Sequence, residues 1–159
     1  MTAVVPDRFF EAMTSKGPSP NMTWPELACH DGTPYPEAWR YTRARDLGIV
    51  FERIRARWGK PIRIMSVYRT PAHNKRVGGA KNSQHLQGRA MDLLPPKGVT
   101  VAAFQNGIRK IADEMVAEGK DLIGGIGYYP TFCHVDVRGG VGDKLIVWWG
   151  NRPAPEVTP

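Results

Sequence analysis

The sequence predicts an α+β fold, with a small, mainly antiparallel sheet that carries helices on one side. Two stretches repeat apolar residues at three- and four-residue steps, which is typical of amphipathic helices. A downstream segment, TFCHVDVRG, alternates apolar and polar residues as a strand does. The expected order of the main elements is α-α-β-β-α-β-β-β, and this order argues for the α+β class.

The length of the chain, 159 residues, suits a single domain with a substantial core. We expect this domain to span residues 1–150 and a disordered, proline-rich tail to occupy residues 151–159. Hydrophobic residues make up 42% and charged residues 23%, which is ordinary for a soluble globular protein. The formal net charge of +7 indicates either an anionic partner or a solvated basic surface.

Helices are expected at three places in the first part of the chain. A short helix is predicted at residues 7–13, and a capping box formed by Thr23 and Glu26 opens a brief second one. A long helix is predicted at residues 37–58, ended by Gly59. Its arginines lie mostly off the apolar stripe. We interpret them as a solvated face and not as a nucleic-acid surface, because no nucleic-acid module pattern accompanies them.

The remaining elements are mainly strands. Thr100 caps another amphipathic helix, which Gly119 closes. Strands are expected at residues 62–67, 89–94, 122–129, 132–138 and 145–149.

Polar residues that a plain core does not need cluster around the second predicted strand. His85 and Asp92 are separated by six residues, and Asp92 lies in an apolar run. An ionised carboxylate there is costly unless it is paired or bound to a metal. Far downstream, strand alternation places His134 on one face with Asp136 and Arg138. Two histidines and an aspartate can occupy three corners of a tetrahedral zinc site and leave the fourth for water. We therefore predict that His85, Asp92 and His134 bind Zn2+.

Other residues with metal-binding side chains are interpreted differently. His30 and Asp31 have side chains that can bind a metal, but adjacent residues in a loop before Gly32 are more typical of turn formers. His73 follows Pro71 and Ala72 at a helix start, which favours local hydrogen bonding. The two cysteines form no disulfide framework, and we expect Cys133 to point into the core. No apolar run approaches the length of a membrane span.

Three ordered blocks carry a resemblance to a known group of enzymes: SVYRTPAHN, SQHLQGRAMDL and GGIGYYPTFCHVDVRG. Together they resemble the zinc D-Ala-D-Ala metallopeptidases of bacterial cell walls, over about residues 22–140. That superfamily also contains the lysostaphin-type enzymes and the zinc-binding domain of hedgehog proteins. The resemblance implies a hedgehog/D-Ala-D-Ala-peptidase-like fold. It also implies zinc-dependent hydrolysis of peptidoglycan stem peptides or cross-links that contain D-amino acids, by an endopeptidase or a carboxypeptidase.

The resemblance also implies roles for further residues. Arg69 is expected to bind a carboxylate or carbonyl of the substrate, since its planar fork suits that geometry. Ser83 is expected to hydrogen-bond the substrate or to orient its loop. Many relatives carry a carboxylate general base three residues before the last histidine, where this chain has Thr131. Asp136 is then either the base or the partner that orients a ligand histidine.

Alternatives remain at the level of function. The domain can instead be a noncatalytic zinc-binding module, for example a phage structural or wall-binding protein. The first residues, MTAVVPDRFFEAM, lack the pattern of a secretory signal. We therefore expect cytoplasmic synthesis and release through a phage holin, or delivery on a virion. We also expect a monomer whose partner is a peptidoglycan peptide and not a nucleic acid.

Overall fold

The computed structural model describes residues 16–139 and 144–150, which contain a five-stranded sheet and its helices. The strands are β1 (Ile64–Ser66), β2 (Ala90–Leu93), β3 (Gly125–Tyr128), β4 (Cys133–Asp136) and β5 (Ile146–Trp149). The helix predicted at residues 7–13 and the tail from residue 151 lie outside the described residues.

The sheet has the strand order β1-β2-β4-β3-β5. Three of its neighbouring pairs are antiparallel, and only β3 and β5 pair in parallel. The predicted α+β fold with a mainly antiparallel sheet is therefore confirmed. Each strand lies within its predicted segment but is shorter, because ladder pairing stops where the chain turns towards the next element.

The helices are α1 (Trp24–Leu27), α2 (Arg43–Trp58), α3 (Pro71–Arg76) and α4 (Val101–Ala117). Two 3-10 helices occupy Glu37–Trp39 and Gln84–Gln87. None of the helices in the described ranges is long and apolar enough to cross a membrane.

The prediction of one continuous helix over residues 37–58 is wrong at its start. Thr42 has φ −122° and ψ −84°, which lies outside the helical region and separates the first 3-10 helix from α2. Trp39, the last residue of that 3-10 helix, packs against the rings of Tyr35 and Tyr68 at centroid distances of 6.1 and 5.8 Å. The contact with Tyr68 is non-local, so the position of this first turn is set by a distant part of the chain and not by α2.

The predicted helix ends are confirmed by their hydrogen bonds and dihedral angles. The backbone N–H of Thr23 donates to Glu26 Oε1 at 2.9 Å, which is one half of a capping box. Thr100 Oγ1 accepts from the N–H of Ala103 at 3.1 Å and caps α4. Gly59 has φ +59°, a left-handed conformation that glycine adopts without strain, and it ends α2.

The core lies between the two long helices and one face of the sheet. The residues of this core come from the apolar stripes of α2 and α4 and from alternate positions of β2 and β4: Leu47, Val50, Phe51, Ile54, Phe104, Ile108, Ile111, Met115, Met91, Leu93, Cys133 and Val135. Cys133 therefore points into the core, as predicted, and both cysteines are free. Because side chains alternate along a strand, the intervening residues of β2 and β4 face the other side of the sheet.

Candidate metal centre

Strands β2 and β4 bring two of the predicted zinc ligands side by side. Asp92 and His134 are directly opposite each other in the antiparallel register. His85 reaches the same point from the 3-10 helix Gln84–Gln87. One potential ligand atom from each of the three residues lies within 4.8 Å of the others, and all three residues are buried. Within residues 16–139 and 144–150 this is the one such group of three.

The orientation of the His85 ring is set by its backbone partner. His85 Nδ1 lies 2.6 Å from the carbonyl oxygen of Val67. A carbonyl oxygen only accepts, so Nδ1 carries the proton and Nε2 keeps its lone pair. Burial lowers the pKa of His85, which keeps the ring neutral. Nε2 is buried without a hydrogen-bond partner, although it lies 3.1 Å from Asp92 Oδ1. These two atoms are close, but their arrangement is not that of a hydrogen bond. The lone pair of His85 Nε2 is therefore free to coordinate a cation.

His134 is held between two carboxylates. Its Nε2 lies 2.8 Å from Asp136 Oδ2, and its Nδ1 lies 3.1 Å from Asp92 Oδ1. Burial by itself would lower the pKa of His134, but the hydrogen bonds with Asp136 and Asp92 raise it above its ordinary value. Asp136 therefore fixes one ring nitrogen and leaves the other directed at Asp92.

Asp136 is completely buried, with 0% of its surface exposed. Arg138 encloses it, because its Nη2 donates to Oδ2 at 2.6 Å while its Nε and backbone N–H donate to Oδ1 at 2.8 and 3.2 Å. Burial would raise the pKa of Asp136, but the hydrogen bonds from His134 and Arg138 hold it below its usual range. Gly125 stands opposite Asp136 in β3, and a Cβ there would overlap the carboxylate. Glycine is therefore required for this close approach.

Arg69 contacts the carboxylate of the cluster. Its Nη2 lies 3.4 Å from Asp92 Oδ2, and its Nη1 donates to Asn74 Oδ1 at 3.3 Å. Burial would raise the pKa of Asp92, but the neighbouring His85 and His134 hold it well below its usual range. Asp92 is therefore an ionised carboxylate, with Oδ1 towards the two histidines and Oδ2 towards Arg69.

The cluster forms the floor of a cleft of about 750 Å3. One wall is the loop wall, defined as residues 77–84, and it includes Lys81, Ser83 and Gln84. The other is the aromatic wall, defined as Tyr129, Phe132, Ile146 and Trp148. The Trp148 ring lies 5.0 Å from the His134 ring and 5.1 Å from the Arg138 guanidinium. The loop wall is therefore more polar than the aromatic wall.

The other residues considered in the sequence lie at different places relative to the cluster. Ser83 Oγ accepts from the backbone N–H of His85 at 3.2 Å, so Ser83 orients the loop that carries this residue. Its hydrogen bond to a substrate stays a prediction.

His30 and Asp31 lie outside the cluster. Asp31 Oδ1 accepts from the N–H of Thr33 at 2.9 Å, which is a turn contact, and His30 Nε2 meets the carbonyl of Met65 at 2.6 Å. The N–H of His73 donates to Thr70 Oγ1 at 3.2 Å, within the cap of α3.

The sequence predicts no role for three residues of the site, Arg138, Asn74 and Trp148. Strand alternation places Arg138 on the face of His134 and Asp136, and this pattern is the sequence signal for its contact with Asp136. Asn74 links Arg69 to the loop wall, and Trp148 packs on His134. No sequence spacing indicates the contacts of Asn74 or Trp148, because their partners lie on other elements.

The residues present fit a zinc ion. Two imidazoles and one carboxylate form a donor set that catalytic zinc sites use, with one position left open. The unused nitrogen of each histidine is bound to a carbonyl or a carboxylate, as is usual for metal-ligating histidines. The buried and unpartnered Nε2 of His85 is the further observation that supports this fit.

Comparison with known protein families gives a match over most of the chain. The family model described as Peptidase M15 matches residues 21–136, which is more than half of the chain and includes all three residues of the cluster. A comparison with curated proteins finds no match.

Proposed function

The chain belongs to the peptidase M15 family of zinc peptidases, and on this premise we propose that it hydrolyses peptide bonds in peptidoglycan. The substrates proposed are stem peptides or cross-links that contain D-amino acids. The reaction is that of an endopeptidase or of a carboxypeptidase. The observation that carries the proposal is the convergence of His85, Asp92 and His134 on the floor of an open cleft. A buried ligand set beside a space of this size is suited to a metal-assisted reaction on a bound chain.

The three floor residues would hold zinc. Zinc bound there supplies Lewis-acid chemistry, which polarises a peptide carbonyl and makes water a better nucleophile near neutral pH. His85 contributes a neutral ring whose orientation Val67 sets, and His134 contributes a ring held by Asp136. Both rings are therefore preorganised, which reduces the cost of assembling the site.

Arg69 is proposed to bind a carboxylate or carbonyl of the substrate, as the resemblance implies. Its guanidinium lines the cleft beside Asp92. The contacts with Asn74 and Asp92 occupy two of the five N–H donors that an arginine has, so donors remain for a substrate oxygen. Ser83, which also lines the cleft, is proposed to keep His85 in position through its hydrogen bond to the backbone.

The role of Asp136 as general base stays a prediction, and its surroundings favour the alternative. A base must reach the water that it deprotonates. Asp136 has no exposed surface, and its two oxygens accept hydrogen bonds from His134 and Arg138. We therefore propose that Asp136 positions His134 and does not act directly on water.

A noncatalytic module that binds zinc and wall peptides is the second candidate. One observation favours it: among the described residues that line the cleft, Asp92 is the only carboxylate. If Asp92 is occupied as a ligand, no other carboxylate of the described cleft remains to act as a base.

Mass spectrometry of digested sacculi distinguishes the two candidates. The zinc-loaded protein is incubated with purified peptidoglycan, alone and with a chelator, and His85→Ala serves as the control. We expect new chain ends on stem peptides, which disappear with chelator and return with added zinc. The position of the new ends separates endopeptidase from carboxypeptidase. Intact peptides in the presence of zinc-loaded protein would support the noncatalytic module, and equal cleavage by His85→Ala would contradict the proposed site.

A further inference from the structure

The aromatic wall carries one hydroxyl group, that of Tyr129. Trp148 Nε1 donates to Tyr129 Oη at 3.3 Å. An indole N–H only donates, so the hydroxyl hydrogen of Tyr129 is directed away from Trp148. Within residues 16–139 and 144–150, no protein group accepts this hydrogen. Because Tyr129 lines the cleft, its O–H is available as a donor to a bound substrate.

The Tyr129 ring lies beside the metal cluster. Gly127 is directly opposite His134 in the ladder of β3 and β4. Residues so paired share a face of the sheet, and their Cβ positions lie about 5 Å apart. A Cβ at Gly127 would lie 2.8 Å from Tyr129 Cε1, the ring atom next to the carbon that bears the hydroxyl, and 2.8 Å from Trp148 Cε2 and Cζ2. Both rings therefore lie over the neighbour of His134, and the Trp148 ring also contacts the His134 ring at 5.0 Å.

The position of Tyr129 is fixed by its neighbours. Its ring stacks on that of Phe132 with a centroid distance of 4.5 Å and an interplanar angle of 6°. Its backbone N–H donates to the Phe132 carbonyl at 3.2 Å. The buried side chain of Gln105, on α4, donates to the Tyr129 carbonyl at 2.8 Å. A donor that is held in place before the reaction needs no reorganisation when charge develops on the substrate.

We propose that Tyr129 is a catalytic residue, whose O–H donates a hydrogen bond to the carbonyl oxygen of the scissile peptide as negative charge develops there. This inference rests on the proposed function, because it concerns the reaction in the same cleft. The hydroxyl keeps its proton throughout, and the hydrogen bond becomes stronger as the charge on the carbonyl oxygen grows. An interaction that is stronger in the transition state than in the bound substrate raises kcat more than it changes KM.

Tyr129→Phe tests the inference, because it removes the hydroxyl and keeps the ring that stacks on Phe132. With the zinc-loaded protein and a D-Ala-containing peptide, we expect kcat to fall by about 100-fold, the lower end of the range for loss of one such donor, with little change in KM. Tyr128→Phe is the matched control. Tyr128 precedes Tyr129 in the chain but packs against the core and the Trp149 ring and does not line the cleft, so full turnover is expected.

Calorimetric binding of two uncleavable peptides separates this inference from the proposed function. One carries a phosphinate in place of the scissile amide, which mimics a tetrahedral oxyanion, and the other carries a methylene group there. We expect Tyr129→Phe to weaken binding of the phosphinate peptide by about the same factor as kcat, since a transition-state analogue makes the same contact. Affinity for the methylene peptide should be unchanged. Metal analysis of each protein should find the same zinc content.

The outcomes are distinguishable. Equal affinity of the parent and Tyr129→Phe for the phosphinate peptide would overturn the inference, whatever the turnover. An unchanged kcat, an effect confined to KM, or loss of zinc from Tyr129→Phe would also overturn it, and each leaves hydrolysis by the parent intact. If the parent cleaves no peptide, hydrolysis of these substrates is rejected. The phosphinate comparison then decides by itself whether Tyr129 donates to a tetrahedral oxyanion.

Discussion

The two faces of β2 and β4 differ sharply in chemistry although both are buried. On one face lie Met91, Leu93, Cys133 and Val135, and on the other lie Ala90, Asp92, His134 and Asp136. Val135 and Asp136 are neighbours in the chain, and each has 0% of its surface exposed. Burial therefore does not distinguish the core from the site. The difference lies in what each face packs against.

The apolar face packs against the stripes of α2 and α4 and needs no specific partners. The polar face needs a partner for nearly every atom, because an unpaired buried charge is very costly. Asp136 has His134 and Arg138, and Asp92 has Arg69 and His134. The nitrogen left without a partner is His85 Nε2, at the point where zinc is expected. One face thus stabilises the fold, and the other supplies, together with His85, the groups that can bind a metal ion.

The largest expected effect comes from the polar face. His134→Ala removes a ligand and leaves Asp92 and Asp136 without their shared partner. We expect zinc affinity to fall by more than the roughly 100-fold that loss of an outer partner can cost, and hydrolysis to be lost with it. Metal titration by calorimetry measures the affinity, and circular dichroism verifies that the variant is folded. Unchanged zinc stoichiometry would contradict the ligand assignment.

A substitution one residue away from Asp92 should have the opposite profile. Met91 is fully buried in the apolar core. Met91→Ala is expected to lower the free energy of unfolding by about 2–5 kcal/mol, while the folded fraction still binds one zinc. Denaturant unfolding of the metal-free protein checks the first part. Ile108→Ala on α4 is the control, and a similar loss is expected there. If Met91→Ala abolished zinc binding in folded protein, the two faces would not be independent.

Asp136→Asn tests how the polar face supports its ligand. In the positioning role, zinc affinity should weaken by about 10- to 100-fold, and added zinc should restore turnover. In the base role, zinc should stay bound while turnover falls by about 100- to 10,000-fold. Turnover and bound zinc are measured together over a range of zinc concentrations. Full turnover with full zinc would exclude both roles.

Arg69→Lys is expected to have the smallest effect of the four. Lysine keeps the charge beside Asp92 but lacks the planar fork that contacts Asp92 and Asn74 together. We expect about tenfold slower hydrolysis, with zinc still bound, from steady-state kinetics and metal analysis. Activity equal to the parent would assign Arg69 a structural role. Arg45→Lys, in a helix outside the cleft, provides the control for a general effect of the substitution.

The local pattern of the sequence was sufficient for much of the fold. The alternation in TFCHVDVRG separates Cys133 and Val135 from His134 and Asp136, and the structure has this separation. The stripes of α2 and α4 and the caps at Thr23 and Thr100 are also local properties of the chain. The three residues of the metal cluster were predicted by spacing, by the cost of a buried carboxylate and by resemblance, and the fold brings them together.

Other features were decided only by the tertiary structure. The start of α2 at Arg43 depends on Trp39 packing against Tyr68, which lies on a distant loop. The link from the loop wall through Asn74 and Arg69 reaches Asp92, which lies 23 residues after Arg69 on β2. Trp148 reaches His134 because β5 adds to the sheet in parallel beside β3. Periodicity determines which way a side chain faces along its own element. The order of the strands, which no local spacing encodes, determines the partner that this side chain meets.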